Sequence, residues 1–224
     1  MVITCIVAGG SGTRMGHAVP KQFLPLLGEP VLVHTVRRFV EMSDQILVGT
    51  HPDFVEETKR MLPQDNVCVL AGGASRMETV QILISALHGV DDDVVITHDG
   101  VRPFVSRRVV EQTVQAARQT GVGGVFVPCV DTIAVSQDGK TLERVPPRRT
   151  LYHVQTPQTF LYGTLKRLLP YAHEGLTDLC SLAVERGETV TMVEGDYYNI
   201  KLTHPDDLTQ AEQICRRYFG ARQD

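Results

Sequence analysis

The sequence predicts an α/β fold, a mostly parallel sheet with helices on both faces and a β-hairpin inserted as an arm. Two observations carry this. Short apolar runs recur along the chain, each followed by a segment with helical spacing. The runs are apolar throughout rather than alternating, as strands covered on both faces are. The rhythm breaks once, between residues 129 and 153, where apolar and polar residues alternate around Asp138-Gly139.

Val2–Ala8 reads as the first buried strand. Residues 31–41 read as a helix with Arg37 and Arg38 outward, Gln45–Thr50 as a second strand, 53–62 as a polar-faced helix and 67–70 as a third strand. Gly72-Gly73 then turn the chain, and Ser75 opens a helix running to about residue 88. A strand at 94–97 ends in "HDGVRP", Ser106 caps a helix over 107–119, and Val122–Pro128 is again a strand. The Asp138-Gly139 pair predicts a two-residue type I′ turn. A long hairpin with little to bury itself against is marginal alone, so the arm is expected to pack on something else, such as a second subunit. Residues 155–160 return as strand, and Thr177 or Asp178 caps a helix to 185. Residues 190–193 and 199–203 read as short strands, and Pro205 takes the first position of a last helix.

The 224 residues suit one sizeable domain. A net charge of -4 gives no global reason to expect nucleic acid or an anionic membrane as partner, so any anion-binding cations must be clustered locally. No apolar run approaches a membrane span, and the first residues are too short for a signal-peptide core. Cys5, Cys68, Cys129, Cys180 and Cys215 lie far apart with no C-x-x-C pair. That spacing argues against a disulfide framework or zinc site and fits the cytoplasm.

The candidate site begins directly behind the first strand, at "AGGSGTRMGHAVPKQF", residues 8–23. It lacks the Gly-Lys pair of a Walker A loop. The dinucleotide fingerprint fails too, because Met15 stands where its third glycine belongs and the second strand ends in Thr50 rather than an acid. What remains is a glycine loop with two cations. Glycines let backbone N–H groups approach a phosphate closely, Arg14 can grip two phosphate oxygens, and Lys21 adds a point charge behind the stiff Pro20. Elsewhere the residues leave alternatives open. Asp99 could cap the turn that follows it, but it stands at a strand end, where open α/β sheets bind ligands. Lys201 and Arg148 also read as solvated charges, Thr177-Asp178 as an ordinary helix cap and His98 as a packed histidine.

Together with "GGASRMETV" (72–80), "HDGVRPF" (98–104), "DTI" (131–133), "QTPQTF" (155–160), "TD" (177–178) and "NIKLT" (199–203), the loop resembles the cytidylyltransferases that act on polyol phosphates. That family includes the 2-C-methyl-D-erythritol 4-phosphate enzyme of isoprenoid synthesis and the D-ribitol 5-phosphate enzyme of teichoic acid synthesis. The resemblance implies a Rossmann-like fold, CTP as substrate, Mg²⁺, and a homodimer locked by the arm over residues 129–153 of a single 1–224 domain. By residue, it matches Ala8, Gly9, Gly10 and Arg14 to the CTP phosphates, with Gly12 of the same loop also expected to bind nucleotide, and Lys21 and Lys201 to charge neutralisation in the transition state; Arg14, Lys21 and Lys201 are the expected catalytic residues. Gly73 and Thr79 match the cytosine and ribose contacts. Thr79 replaces a more usual serine, and its extra methyl is expected to crowd the nucleotide. Asp99 matches the acid near metal and substrate. Arg102, Thr132, Arg148, Thr156 and Thr177 match the polyol-phosphate side, with Arg148 reaching across the dimer. "AGGSGTRMG" and "VPPRRTLYHVQTPQTF" lean toward D-ribitol 5-phosphate as acceptor, while "VEGDYYNIKLTHPDDL" looks as much like the isoprenoid branch. A guanylyl- or uridylyltransferase and a catalytically silent nucleotide-binding protein are the other readings. The arm and "NIKLT" argue against the first, and intact Arg14, Lys21, Asp99 and Lys201 against the second.

Overall fold

The structure is a computed structural model, and it describes residues 1–10, 19–173 and 175–219. Strand β1 (Val2–Ala8) opens the chain, followed by a 3-10 turn at Lys21–Phe23 and the small antiparallel pair β2 (Pro25–Leu26) and β3 (Glu29–Pro30). Next come α1 (Val31–Arg37), β4 (Gln45–Thr50), α2 (Val55–Met61), β5 (Val67–Ala71), α3 (Arg76–Ser85), β6 (Val94–Asp99), α4 (Arg107–Thr120) and β7 (Val122–Pro128). After the arm come β8 (Tyr152–Leu161), α5 (Tyr162–Leu168), α6 (Leu179–Glu185), β9 (Thr191–Glu194) and α7 (Pro205–Ile214).

Seven strands form one sheet in the order β5-β4-β1-β6-β8-β7-β9. Six run the same way. Only β8 is reversed, pairing antiparallel with both β6 and β7. The period of two along β1 divides the core. Ile3 and Cys5 face a cluster with Val80, Leu83, Leu165 and Leu182 from α3, α5 and α6. Ile6 and Ala8 face Leu32, Val36, Val109 and Val110 from α1 and α4. A third cluster joins Leu26, Val31, Val101, Phe104 and Leu202 to Ala211 and Ile214 of α7. The helices are set by their ends. Ser75 and Ser106 accept from backbone N–H groups as N-caps, Asp178 rather than Thr177 caps α6, and Gly121 ends α4 in the left-handed region at φ 89°. Among the described residues no helix is long and apolar enough to cross a membrane.

Four expectations change. The segment 162–168 forms α5 although Gly163 and Thr164 are weak helix formers, because its apolar face docks into the first cluster. Residues 199–203 are not a strand. Their polar groups are taken by loops and side chains, with Leu202 N–H donating to the Val101 carbonyl and Thr203 N–H to Asp207. The α1 helix stops at Arg37 and continues as turns. The arm is not a paired hairpin either. It carries a single antiparallel bridge, Val135 to Arg144. A type I′ turn needs positive φ at both central residues, and Asp138 does not have it; Gly139 alone is at φ 67°. The Asp138 carboxylate makes the turn instead, accepting from the N–H groups of Lys140 and Thr141, each at 2.8 Å.

Helix α4 lies close against β7 because Gly123 has no side chain. A Cβ there would stand 2.7 Å from the Thr113 carbonyl oxygen and 2.9 Å from the Ala116 methyl. Gly123→Ala is expected to destabilise the protein by about 1–3 kcal/mol, the usual cost of overpacking, measured by urea unfolding.

Candidate active site

The parallel strands β1, β4, β5 and β6 end on the same side, and a cleft of about 570 Å³ lies beyond those ends. It is lined by Ala8, Gly9, Gly10, Lys21, Gly73, Thr79, Asp99 and Lys201, all expected from sequence, and by Gln22 and Arg76, which were not. Four stretches far apart in the chain thus meet at one sheet edge, where an open α/β sheet has its crevice.

Asp99 ends β6 and is 5% exposed. Arg76 Nε lies 3.0 Å from its Oδ1, while Arg102 Nε at 3.3 Å and Lys201 Nζ at 3.1 Å approach Oδ2. Burial opposes ionisation of this carboxyl, but Arg76, Lys201 and Arg102 together outweigh it and hold Asp99 well below the usual carboxylate range. Three cations on one anion leave the local charge positive, and Lys21 adds to it. The floor of the cleft is therefore built for a polyanion.

Behind Asp99 a buried relay joins β6 to β8. The Asp99 N–H donates to Thr156 Oγ1 at 3.1 Å, leaving that hydroxyl to donate to His98 Nδ1 at 3.0 Å. His98 Nε2–H then donates to the Arg102 carbonyl at 3.0 Å. This tautomer gives every group a complementary partner. Burial pushes His98 down to about 4, so the ring is neutral near pH 7.

The glycine loops pack around Thr79, which is 1% exposed. Its hydroxyl accepts from the Gly73 N–H at 3.1 Å and donates to the Ser75 carbonyl at 2.9 Å. A Cβ on Gly49 would come 2.5 Å from the Thr79 methyl, and one on Gly9 3.0 Å from its hydroxyl. The methyl expected to crowd the nucleotide thus fills the space that Gly49 leaves on β4.

The other expected residues are placed differently. Gly12 and Arg14 lie outside the described residues. Arg102 and Thr156 are largely buried beside Asp99, and Arg102 also donates to the Asn199 carbonyl at 2.9 Å. Thr132 and Arg148 are exposed on the arm, where Arg148 donates to the Val130 carbonyl, and Thr177 is exposed beside Asp178; none of the three lines this cleft. Arg76 had one readable signal, a cation directly behind the cap of a helix that follows a strand and two glycines. Gln22 had none, since nothing in "PKQF" distinguishes a buried amide from a surface one. Among the described residues no group of three or more His, Cys, Asp or Glu side chains gathers, and Asp99 is the acid lining the cleft. Both its oxygens already face cations, so a Mg²⁺ here would share Asp99 with Arg76, Arg102 and Lys201 and take its other ligands from phosphates and water.

The family model described as IspD, 2-C-methyl-D-erythritol 4-phosphate cytidylyltransferase, matches residues 2–217. The crystal structure of 2-C-methyl-D-erythritol 4-phosphate cytidylyltransferase from Thermus thermophilus is similar at 32% identity and TM-score 0.79, covering 96% of this chain and 100% of that one. The 4-diphosphocytidyl-2C-methyl-D-erythritol synthase structure from Anaerococcus prevotii is similar at 27% identity and TM-score 0.84, covering 97% and 96%. The Francisella tularensis 2-C-methyl-D-erythritol 4-phosphate cytidylyltransferase is similar at 25% identity and TM-score 0.80, covering 95% and 98%. The chain belongs to this family of CTP-dependent nucleotidyltransferases.

The buried His98 makes stability depend on pH. Its folded-state value of about 4 lies below the ordinary value near 6.5, so between them the unfolded chain binds a proton that the folded chain refuses. Stability is therefore expected to fall as pH drops from about 6.5 to about 4, by about 3 kcal/mol from this group. The Asp99 contribution is lost only at lower pH. Urea unfolding across pH 4–7 reads the slope, and His98→Gln is expected to flatten it.

Proposed function

We propose that this enzyme transfers CMP from CTP to 2-C-methyl-D-erythritol 4-phosphate and releases pyrophosphate. The observation that supports the reading is that Lys21 and Lys201 line the same cleft as Gly9 and Gly10, with Lys201 on a carboxylate already crowded by cations. Family membership sets the nucleotide and favours this acceptor over D-ribitol 5-phosphate, toward which two sequence blocks lean.

The acceptor phosphate oxygen attacks the α-phosphorus of CTP. A new P–O bond forms, the bond to the β-phosphate breaks, and its electron pair leaves on pyrophosphate. The attacking phosphate is already ionised, so no general base is required. The difficulty is electrostatic. Two unit anions at about 4 Å repel by ~4 kcal/mol at an effective dielectric of about 20. Lys21 and Lys201 offset that repulsion and hold the phosphates, Gly9 and Gly10 admit them close to the backbone, and Arg14 adds a bidentate grip. A Mg²⁺ held through Asp99 would further neutralise the phosphates. Gly73 and Thr79 shape the nucleoside end.

The acceptor side is assigned to Arg102, Thr132, Arg148, Thr156 and Thr177. In this reading Arg102 and Thr156 act from behind Asp99, while Arg148 reaches across the dimer. The arm carries Val130 at 58%, Leu142 at 65% and Val145 at 49% exposure, an apolar surface that supports a homodimer packed through residues 129–153. The five unpaired thiols are compatible with a cytoplasmic enzyme.

Pyrophosphate release from CTP and Mg²⁺ with each of the two acceptors tests the reading. Release with 2-C-methyl-D-erythritol 4-phosphate is expected; release with D-ribitol 5-phosphate alone would reassign the acceptor, release from GTP or UTP the nucleotide, and no release with any pair would overturn the reaction. Lys21→Ala should lower turnover by about 10²–10³-fold with little change in melting temperature, as expected for a lost charge-stabilising donor. Sedimentation at micromolar concentration should give a dimer, and a monomer would remove the role of the arm.

A further inference from the structure

Neither lysine of the cleft stands on a helix or strand that would hold it rigid. Lys21 begins a three-residue 3-10 turn, and Lys201 lies in irregular chain. Catalytic geometry nevertheless demands placement to about half an ångström. Each lysine has a fully buried carboxamide one or two residues away. Gln22 and Asn199 are both 1% exposed. Gln22 Nε2 donates to the Ala8 carbonyl at 2.6 Å and the Gly10 carbonyl at 3.1 Å. Asn199 Nδ2 donates to Gln155 Oε1 at 3.1 Å and the Thr156 carbonyl at 3.0 Å.

The acceptors explain the device. Ala8 is the last residue of β1, so Gln22 fastens the Lys21 turn to the glycine end of that strand. On β8, Gln155 pairs with Val125 and Gln158 with Gly124, so Thr156 and Pro157 bulge out and have no partner on β7. The bulge releases the Thr156 carbonyl from the ladder, and Asn199 takes it. Beyond Lys201, Leu202 is buried and its N–H donates to Val101, so the lysine is fixed from both sides.

We propose that Gln22 and Asn199 are the positioning residues of Lys21 and Lys201, each using both N–H bonds of a buried carboxamide to tie a flexible segment to the C-terminal edge of the sheet. The inference rests on the reaction proposed above.

The isosteric acids test it, because Gln22→Glu and Asn199→Asp keep size and shape and remove both donors. A double-mutant cycle distinguishes positioning from general stability. Lys201→Ala is expected to lower kcat by about 10²–10³-fold. Asn199→Asp alone should lower kcat by about tenfold or more, and added to Lys201→Ala it should change kcat by less than about twofold. The same pattern is expected for Gln22→Glu with Lys21→Ala. Full additivity in either cycle, or an unaffected kcat in the single acid variant, would overturn the proposal for that pair. Crystal structures of the two acid variants give a readout free of activity. Displacement of Lys201 Nζ from Asp99, and of the Lys21 turn from Gly10, is expected; lysines in unchanged positions would overturn the proposal even if the wild-type protein releases no pyrophosphate. That last result with displaced lysines would overturn the reaction and leave the anchoring intact.

Discussion

A carboxylate taken out of water at the end of a parallel strand must be compensated, and this requirement organises the molecule around Asp99. An unpaired buried charge costs several kcal/mol even after relaxation, and breaking a buried pair from one side costs ~3–5 kcal/mol. Three segments each supply a cation. Arg76 comes from the start of α3, Arg102 from the turn after β6 and Lys201 from the chain before α7. Each segment is thereby drawn to the end of β6 by the same carboxylate. Two of the three cations, Arg76 and Lys201, also line the cleft, so the attractions that hold Asp99 in place set the charge of the cleft floor as well.

This arrangement changes how individual residues are understood. Arg102 and Thr156 match substrate-side positions by resemblance, yet both spend their polar groups inside the protein, on Asp99, Asn199 and His98. Thr79, in the first turn of α3, likewise spends its hydroxyl on the loop before that helix. The groups left facing the cleft are mainly backbone and cations.

Sequence reading recovered what repeats or what is chemically marked. The strands were legible because a sheet covered on both faces requires unbroken apolar runs, and the placement of Lys21 in the cleft because the chain behind a strand and its glycines stays at the sheet edge. It failed where tertiary context decides. Asn199 looked like part of a strand, since "NIKLT" alternates, but its side chain takes acceptors on β8 that only the fold brings near. Gln22 was silent for the same reason. Asp138-Gly139 marked a turn correctly and its type wrongly, because the carboxylate of Asp138 competed successfully with backbone pairing. The short α5 was hidden by Gly163 and Thr164.

The reversed strand β8 has a consequence for the order in which the molecule assembles. It lies between β6 and β7, which have no ladder of their own with each other, so the half of the sheet built from β5, β4, β1 and β6 joins the half built from β7 and β9 only through residues 152–161. The first half can pair without the later strands, but β7, packed on α4, shares no ladder with it until β8 lies between them. The arm is thus also the spacer that delays closure. Until β8 is in place, the facing edges of β6 and β7 are the ones this strand order leaves unpaired.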